Sequence, residues 1–208
     1  MRTKYKQWAV DYLGEHPETV IEKIDIKDDF FKKNELYVEI GSGKGDFIAT
    51  IAKMNPDKNY LAVERVRTVA GMLAKKIVDQ ELGNVRVFPN DVALIFDQLP
   101  DGFFKGIYLN FVDPWPKKKH AKRRLTFHTF LEQYYRLLKK DGLLIFKSDN
   151  DGLYEFTLEE IALTKFKLVS SEDDYQFDGS IDALTEYEFK FREKGQKIHR
   201  IVLEKKED

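Results

Sequence analysis

Two stretches of this sequence carry residue types able to do chemistry. The first is Glu39-Ile40-Gly41-Ser42-Gly43-Lys44-Gly45-Asp46, with glycine at alternate positions after an apolar run. That spacing lets the backbone turn sharply and lets a ligand approach closely. The N-terminus of a following helix would offer free amide N–H groups. It is not a Walker A loop, because Lys44 is followed by Gly45 and no Ser or Thr is placed to hold magnesium. Glu64 closes the next apolar run, roughly twenty positions on, where a carboxylate can accept hydrogen bonds from both hydroxyls of an adenosine ribose. Loop and acid together mark an adenosine site. A dinucleotide would set its pyrophosphate beside Glu39, whereas the sulfonium and amino group of S-adenosylmethionine are attracted by acids there. Asn90-Asp91, after the third apolar run, are placed to meet the adenine edge.

The second stretch is Asn110-Phe111-Val112-Asp113-Pro114-Trp115-Pro116, followed by Lys117-Lys118-Lys119-His120-Ala121-Lys122-Arg123-Arg124. Two prolines preset the backbone around Trp115, which suits a reaction that depends on positioning. Six of the eight residues from Lys117 to Arg124 are Lys or Arg, in a chain of net charge −1. Such a cluster supplies salt-sensitive affinity for phosphates, though a solvated loop has the same composition. Arg2, Lys4, Tyr5, Lys6 and Trp8 also mix bases with aromatics. Further on, Asp149 reads either as a site carboxylate or as a cap before a helix at Gly152. The stretch from Glu172 to Glu188 has seven acids and no base. Within it, Thr185 and Glu188 also fit a capping box. His16, His120, His128 and His199 show no metal-like spacing, so no metal is expected.

The elements that must position these residues alternate. Strands are expected at Leu36–Ile40, Asn59–Val63, Val85–Pro89, Gly106–Phe111, Leu143–Ser148, Phe166–Ser171 and Lys197–Leu203. Helices are expected at Gly45–Met54, Val66–Glu81, Phe127–Lys139, Gly152–Leu163 and Glu186–Lys194, with breaks at Asn55-Pro56-Asp57, Leu82-Gly83-Asn84 and Lys140-Asp141-Gly142. This is an α/β pattern around a mostly parallel sheet. Ligands of such sheets bind at the carboxyl ends of the strands, which would place Asp113 near the reacting groups. One domain is expected over residues 35–208, behind a partly mobile arm at 1–34 with one short helix. The chain has 208 residues and no cysteine, which excludes disulfides, thiolate zinc and cysteine nucleophiles. With no apolar run of ~20 residues and no apolar N-terminal segment, a cytoplasmic protein with no membrane partner is expected.

Taken together, these segments resemble the bacterial tRNA (guanine-N7)-methyltransferase family, class I enzymes that use S-adenosylmethionine. The resemblance rests on the glycine loop, Glu64-Arg65, Asn90-Asp91, Asp113-Pro114-Trp115-Pro116-Lys117-Lys118, Lys122-Arg123-Arg124-Leu125, Ser148-Asp149 and Thr185-Glu186-Tyr187-Glu188. It implies a Rossmann-like, seven-stranded sheet with a reversed last strand and helices on both faces. Glu39, Gly41, Gly43, Gly45, Glu64, Asn90, Asp91 and Asp113 would then serve the cofactor. Lys117, Asp149, Thr185, Glu186, Tyr187 and Glu188 would serve the substrate. Lys119, His120, Ala121, Lys122, Arg123 and Arg124 would contact tRNA, the modified base being a variable-loop guanine. Val112 stands where many members carry a small hydroxyl residue, and Lys119 where arginine is common.

Guanine N7 has an in-plane lone pair and no proton to lose, so its methylation needs no strong general base. Carboxylates can hold the base through N1–H and the 2-amino group, and Asp149, Glu188 and Asp113 are candidates. Asp113 is expected to organise donor and base, not to act as a nucleophile. A small-metabolite methyltransferase, a nicotinamide-dependent oxidoreductase and a non-catalytic RNA-binding module are the alternatives, and a monomer or a homodimer fits equally.

Overall fold

A computed structural model describes residues 4–205. The fold is the seven-stranded mixed sheet of the α/β class, mostly parallel with a reversed final strand. It comprises two compact units, residues 1–99 with 182–185, and residues 100–181 with 186–208.

The first unit contains α1 (Gln7–Glu15), β1 (Leu36–Ile40), α2 (Asp46–Met54), β2 (Asn59–Val63), α3 (Arg67–Asp79), β3 (Val85–Phe88) and the single turn α4 (Ala93–Phe96). The strands pair in parallel, β1 with β2 from Leu36↔Asn59 to Ile40↔Val63, and β2 with β3. All five residues of β2 are buried, as expected where a parallel strand is covered on both faces. Gly45 directly precedes α2; it has φ +81°, and a Cβ there would lie 2.1 Å from Leu73 Cδ1. Only glycine serves both demands.

The described part of the expected arm, residues 4–34, holds its short helix and is packed. Ala9, Leu13, Val20, Ile24, Phe30 and Phe31 are buried, and Val20 bridges to Val87 on the outer side of β3. α1 lies so close to α3 that the Ala9 carbonyl occupies the place of a Gly71 side chain. Arg2 lies outside the described residues.

The second unit contains β4 (Phe104–Asn110), α5 (His128–Leu137), β5 (Leu138–Ser148), α6 (Asp151–Ile161), β6 (Phe166–Glu172), α7 (Glu186–Glu193) and β7 (His199–Lys205). β4 and β5 are parallel, while β7 runs antiparallel to both β5 and β6. β5 starts five residues earlier than the sequence suggests. The Lys140-Asp141-Gly142 break is absorbed as an irregularity inside the strand, with Asp141 at φ +56° and the register against β4 jumping from Leu138 to Leu143. The cap of α6 is Asn150, whose Oδ1 accepts from the Leu153 amide at 2.8 Å. No helix among the described residues is long and apolar enough to cross a membrane.

Gly71→Ala would put a Cβ 1.7 Å from the Ala9 carbonyl oxygen, forcing α1 off α3. A loss of about 1–3 kcal/mol is expected in urea unfolding; an unchanged midpoint would contradict the close seating of α1.

Candidate active site

In the first unit the sequence-predicted residues gather at the carboxyl ends of the strands. Glu39 is the fourth residue of β1 and is buried at 2% exposure, and Glu64 directly follows β2 at 8%. Gly41, Gly43 and Gly45 have φ of +80°, +54° and +81°, so the loop is built from left-handed turns that side chains resist. A Cβ on Gly43 would meet nothing within 4 Å, so open space lies before that residue.

Four of the loop amides are bonded within the protein. Gly41 and Ser42 donate to the Val63 carbonyl at 2.8 and 3.1 Å, and Gly45 donates to the Ser42 carbonyl at 2.9 Å. Gly43 donates to Glu64 Oε2 at 3.0 Å, and the other oxygen of Glu64 accepts from the Val66 amide at 2.8 Å. The side chains placed beside the loop are carboxylates, Glu39 and Glu64, which repel a pyrophosphate. Each carboxylate oxygen has two lone pairs, so Glu64 retains acceptor capacity for ribose hydroxyls. Ser42 was not singled out in the sequence; its Oγ donates to the Glu39 carbonyl at 2.9 Å and braces the turn. The donor set fits an adenosyl ligand with a cationic end.

Asn90 donates to Glu22 Oε2 at 3.0 Å, and Asp91 Oδ1 accepts from the Ala93 amide at 2.9 Å, opening α4. Asp91 is exposed and Asn90 half-buried. Thr185 also belongs to this unit and is half-buried.

In the second unit Asp113 is exposed on the loop after β4, between two non-glycine residues in the left-handed region, Phe111 at φ +52° and Trp115 at φ +41°. Strain of this kind is held only where the surroundings over-determine it. Val112 is buried at 7% exposure, so an apolar anchor stands where the family often has a hydroxyl. The basic run forms a 3-10 helix over Lys118–Arg123. Lys117, Lys118, Lys119 and Lys122 are exposed and make no ion pair among the described residues. Ala121 and His120 are half-buried, and the His120 ring meets Trp115 edge-on at 5.6 Å.

Asp149 follows β5, half-buried, and its Oδ2 accepts a long contact of 3.4 Å from Gln196 Nε2. Because Asn150 caps α6, capping does not account for Asp149. Burial holds its carboxyl above the ordinary aspartate range. The Tyr187 hydroxyl is also pushed up, first by burial and then by the Asp149 charge, which puts the two groups within electrostatic reach. The Tyr187 ring is nearly half exposed, stacks on Phe191 at 4.3 Å and tilts over Phe111 at 5.3 Å. Asp149, Tyr187 and the start of the Asp113 loop thus form one cluster.

Glu186 is exposed and pairs with Lys190. Glu188 is fully buried: Lys147 Nζ donates to Oε2 at 2.9 Å, and Arg192 donates to Oε1 through Nε at 3.0 Å and through an Nη at 2.8 Å. Lys147 has no exposed side-chain surface either. Glu188 therefore braces α7 against β5 and fixes where Tyr187 sits. Lys147, inside an apolar-looking strand, gave no signal in the sequence.

Comparison with known proteins agrees with this chemistry. Residues 33–201 match the family model described as "Putative methyltransferase". A tRNA (guanine-N(7)-)-methyltransferase of Staphylococcus haemolyticus (strain JCSC1435) is 44% identical, covering 97% of this chain and 96% of that protein. One of the same description from Staphylococcus aureus (strain Mu3 / ATCC 700698) is 42% identical at the same coverage. Among solved structures, the 16S rRNA methyltransferase KamB superposes with TM-score 0.62 at 11% identity, over 89% of this chain and 97% of that one. An antibiotic-related methyltransferase superposes with TM-score 0.61 at 16% identity, over 88% and 95%. Both show the fold.

A buried carboxyl with a raised pKa makes the folded state hold its proton more tightly than the unfolded chain does. Stability is then lost as pH rises through the folded pKa. Asp149→Asn should accordingly raise the melting temperature at pH 7, with the gain shrinking toward the carboxylate range. A lowered melting temperature at pH 7 would show that the charge is structurally required.

Proposed function

The chain belongs to the tRNA (guanine-N7)-methyltransferase family, and from that premise we propose how its residues divide the work of methylating guanine N7 in tRNA with S-adenosylmethionine. The observation that carries the reading is the left-handed glycine loop clamped by Glu64, with Glu39 and Glu64 buried at the carboxyl ends of β1 and β2. Glu39, Glu64, the glycines Gly41, Gly43 and Gly45, and Asn90 with Asp91 hold the cofactor, and Glu64 takes the ribose. When bound, S-adenosylmethionine supplies a methyl group on a sulfonium, which a lone pair can attack in line.

The remaining work is alignment and charge. N7 uses its own lone pair, so no residue has to remove a proton before attack. The purine becomes cationic as the N–C bond forms, and carboxylates placed near it favour that charge. Asp113, the residue assigned to catalysis, orients donor and base from its strained loop. Asp149 accepts from N1–H and the 2-amino group, donors that adenine lacks, and Tyr187 gives the purine an aromatic face. Lys117, Thr185 and Glu186 complete the substrate side, with Glu188 acting through the position of α7. The exposed lysines of the basic helix neutralise tRNA phosphates. This assignment suits a cytoplasmic enzyme.

Purified protein incubated with unmodified tRNA and methyl-labelled S-adenosylmethionine should yield 7-methylguanosine on nucleoside digestion. Label in any other nucleoside, or label in a small metabolite with none in tRNA, would overturn the reading.

A further inference from the structure

We infer that Arg124 is a positioning residue for Asp113 rather than a phosphate contact, an assignment that rests on the methyltransferase reading above. Its guanidinium reaches back into the loop. Nε donates to the Pro114 carbonyl at 3.0 Å and an Nη donates to the Trp115 carbonyl at 3.1 Å. The same group lies 4.1 Å from the centroid of the Phe156 ring on α6, and Phe156 in turn stacks on Phe127. Arg124 is half-buried, unlike the lysines that precede it.

These contacts close one end of the loop. The other end is closed by the Phe111 amide, which donates to the Lys147 carbonyl of β5 at 2.9 Å, and by the buried Val112 side chain. Asp113 projects between the two anchors, flanked by the left-handed Phe111 and Trp115. Each anchor bonds the backbone of one of these flanking residues, the Phe111 amide at one end and the Trp115 carbonyl at the other. Two successive carbonyls need two donors held in one plane. A guanidinium provides that and also stacks on a ring; an ammonium provides neither. Charged donors make these bonds stronger than neutral ones would.

The basic run therefore has two jobs. Lys118, Lys119 and Lys122 point their charge at solvent, Arg123 lies over the Trp115 ring at 5.2 Å, and Arg124 is committed to the loop. Counting charges along the run does not separate them.

Arg124→Lys is the discriminating variant, because it keeps the charge and removes the fork. With wild-type enzyme and tRNA as reference, kcat is expected to fall about tenfold to a hundredfold, as for a displaced reacting group. The Kd for tRNA and its slope against salt should stay at the wild-type values. Wild-type kcat in Arg124→Lys would overturn the assignment. So would Arg124→Ala at wild-type kcat with a salt slope reduced by about one, which marks a lost phosphate contact. If Arg124→Lys does not fold, Phe156→Leu leaves the charge in place and removes the ring that aims it. Reduced kcat at the wild-type salt slope then supports the assignment, and full kcat overturns it. Loss of all methylation in wild-type protein would instead indict the underlying functional reading.

Discussion

A single carboxylate, that of Glu64, accepts hydrogen bonds from the amides of Gly43 and Val66 and so ties the glycine loop to the end of β2. Bonds of this charged kind contribute about 1.5–3 kcal/mol each. They do more than stabilise. Gly41 and Ser42 are held by Val63 and Gly45 by Ser42, so the loop is fixed in one shape. With Glu39 and Glu64 buried beside it, the loop lies against negative charge. A neutral-to-cationic ligand with ribose hydroxyls suits such a site; a pyrophosphate does not.

The second unit uses charge in a different way. Glu188 and Lys147 are sealed together with the half-buried Arg192 on the outer side, and an ion pair removed from water this completely is weak evidence for stability. Its value lies in fixing one arrangement. α7 carries Tyr187 and β5 leads into Asp149, so the pair sets the spacing of an aromatic face and a carboxylate. Neither reaction partner has to touch Glu188 for that to matter.

Much of the fold was legible because turn chemistry bounds it. β1 and β2 occupy the expected residues, each framed by polar or proline-containing turns. β5 was read short because Asp141-Gly142 looks like a stop, and only pairing with β4 reveals it as an irregularity within the strand. The packing of residues 4–34 was invisible because the surfaces that cover Ala9 and Val20 lie far along the chain, in α3 and at β3. At the site, the residue types were readable and their commitments were not. Nothing in the sequence says that Arg124 bonds carbonyls while Lys119 does not, or that Asn150 rather than Asp149 caps α6.

The central claim is that Glu64 both clamps the loop and receives the adenosyl ribose. Calorimetric titration of Glu64→Gln with S-adenosylhomocysteine tests it most directly, since the amide keeps the shape but loses the charge and one acceptor. Binding weakened by tenfold or more, with tRNA affinity at its wild-type value, is the predicted result. Unchanged affinity for S-adenosylhomocysteine would contradict the account.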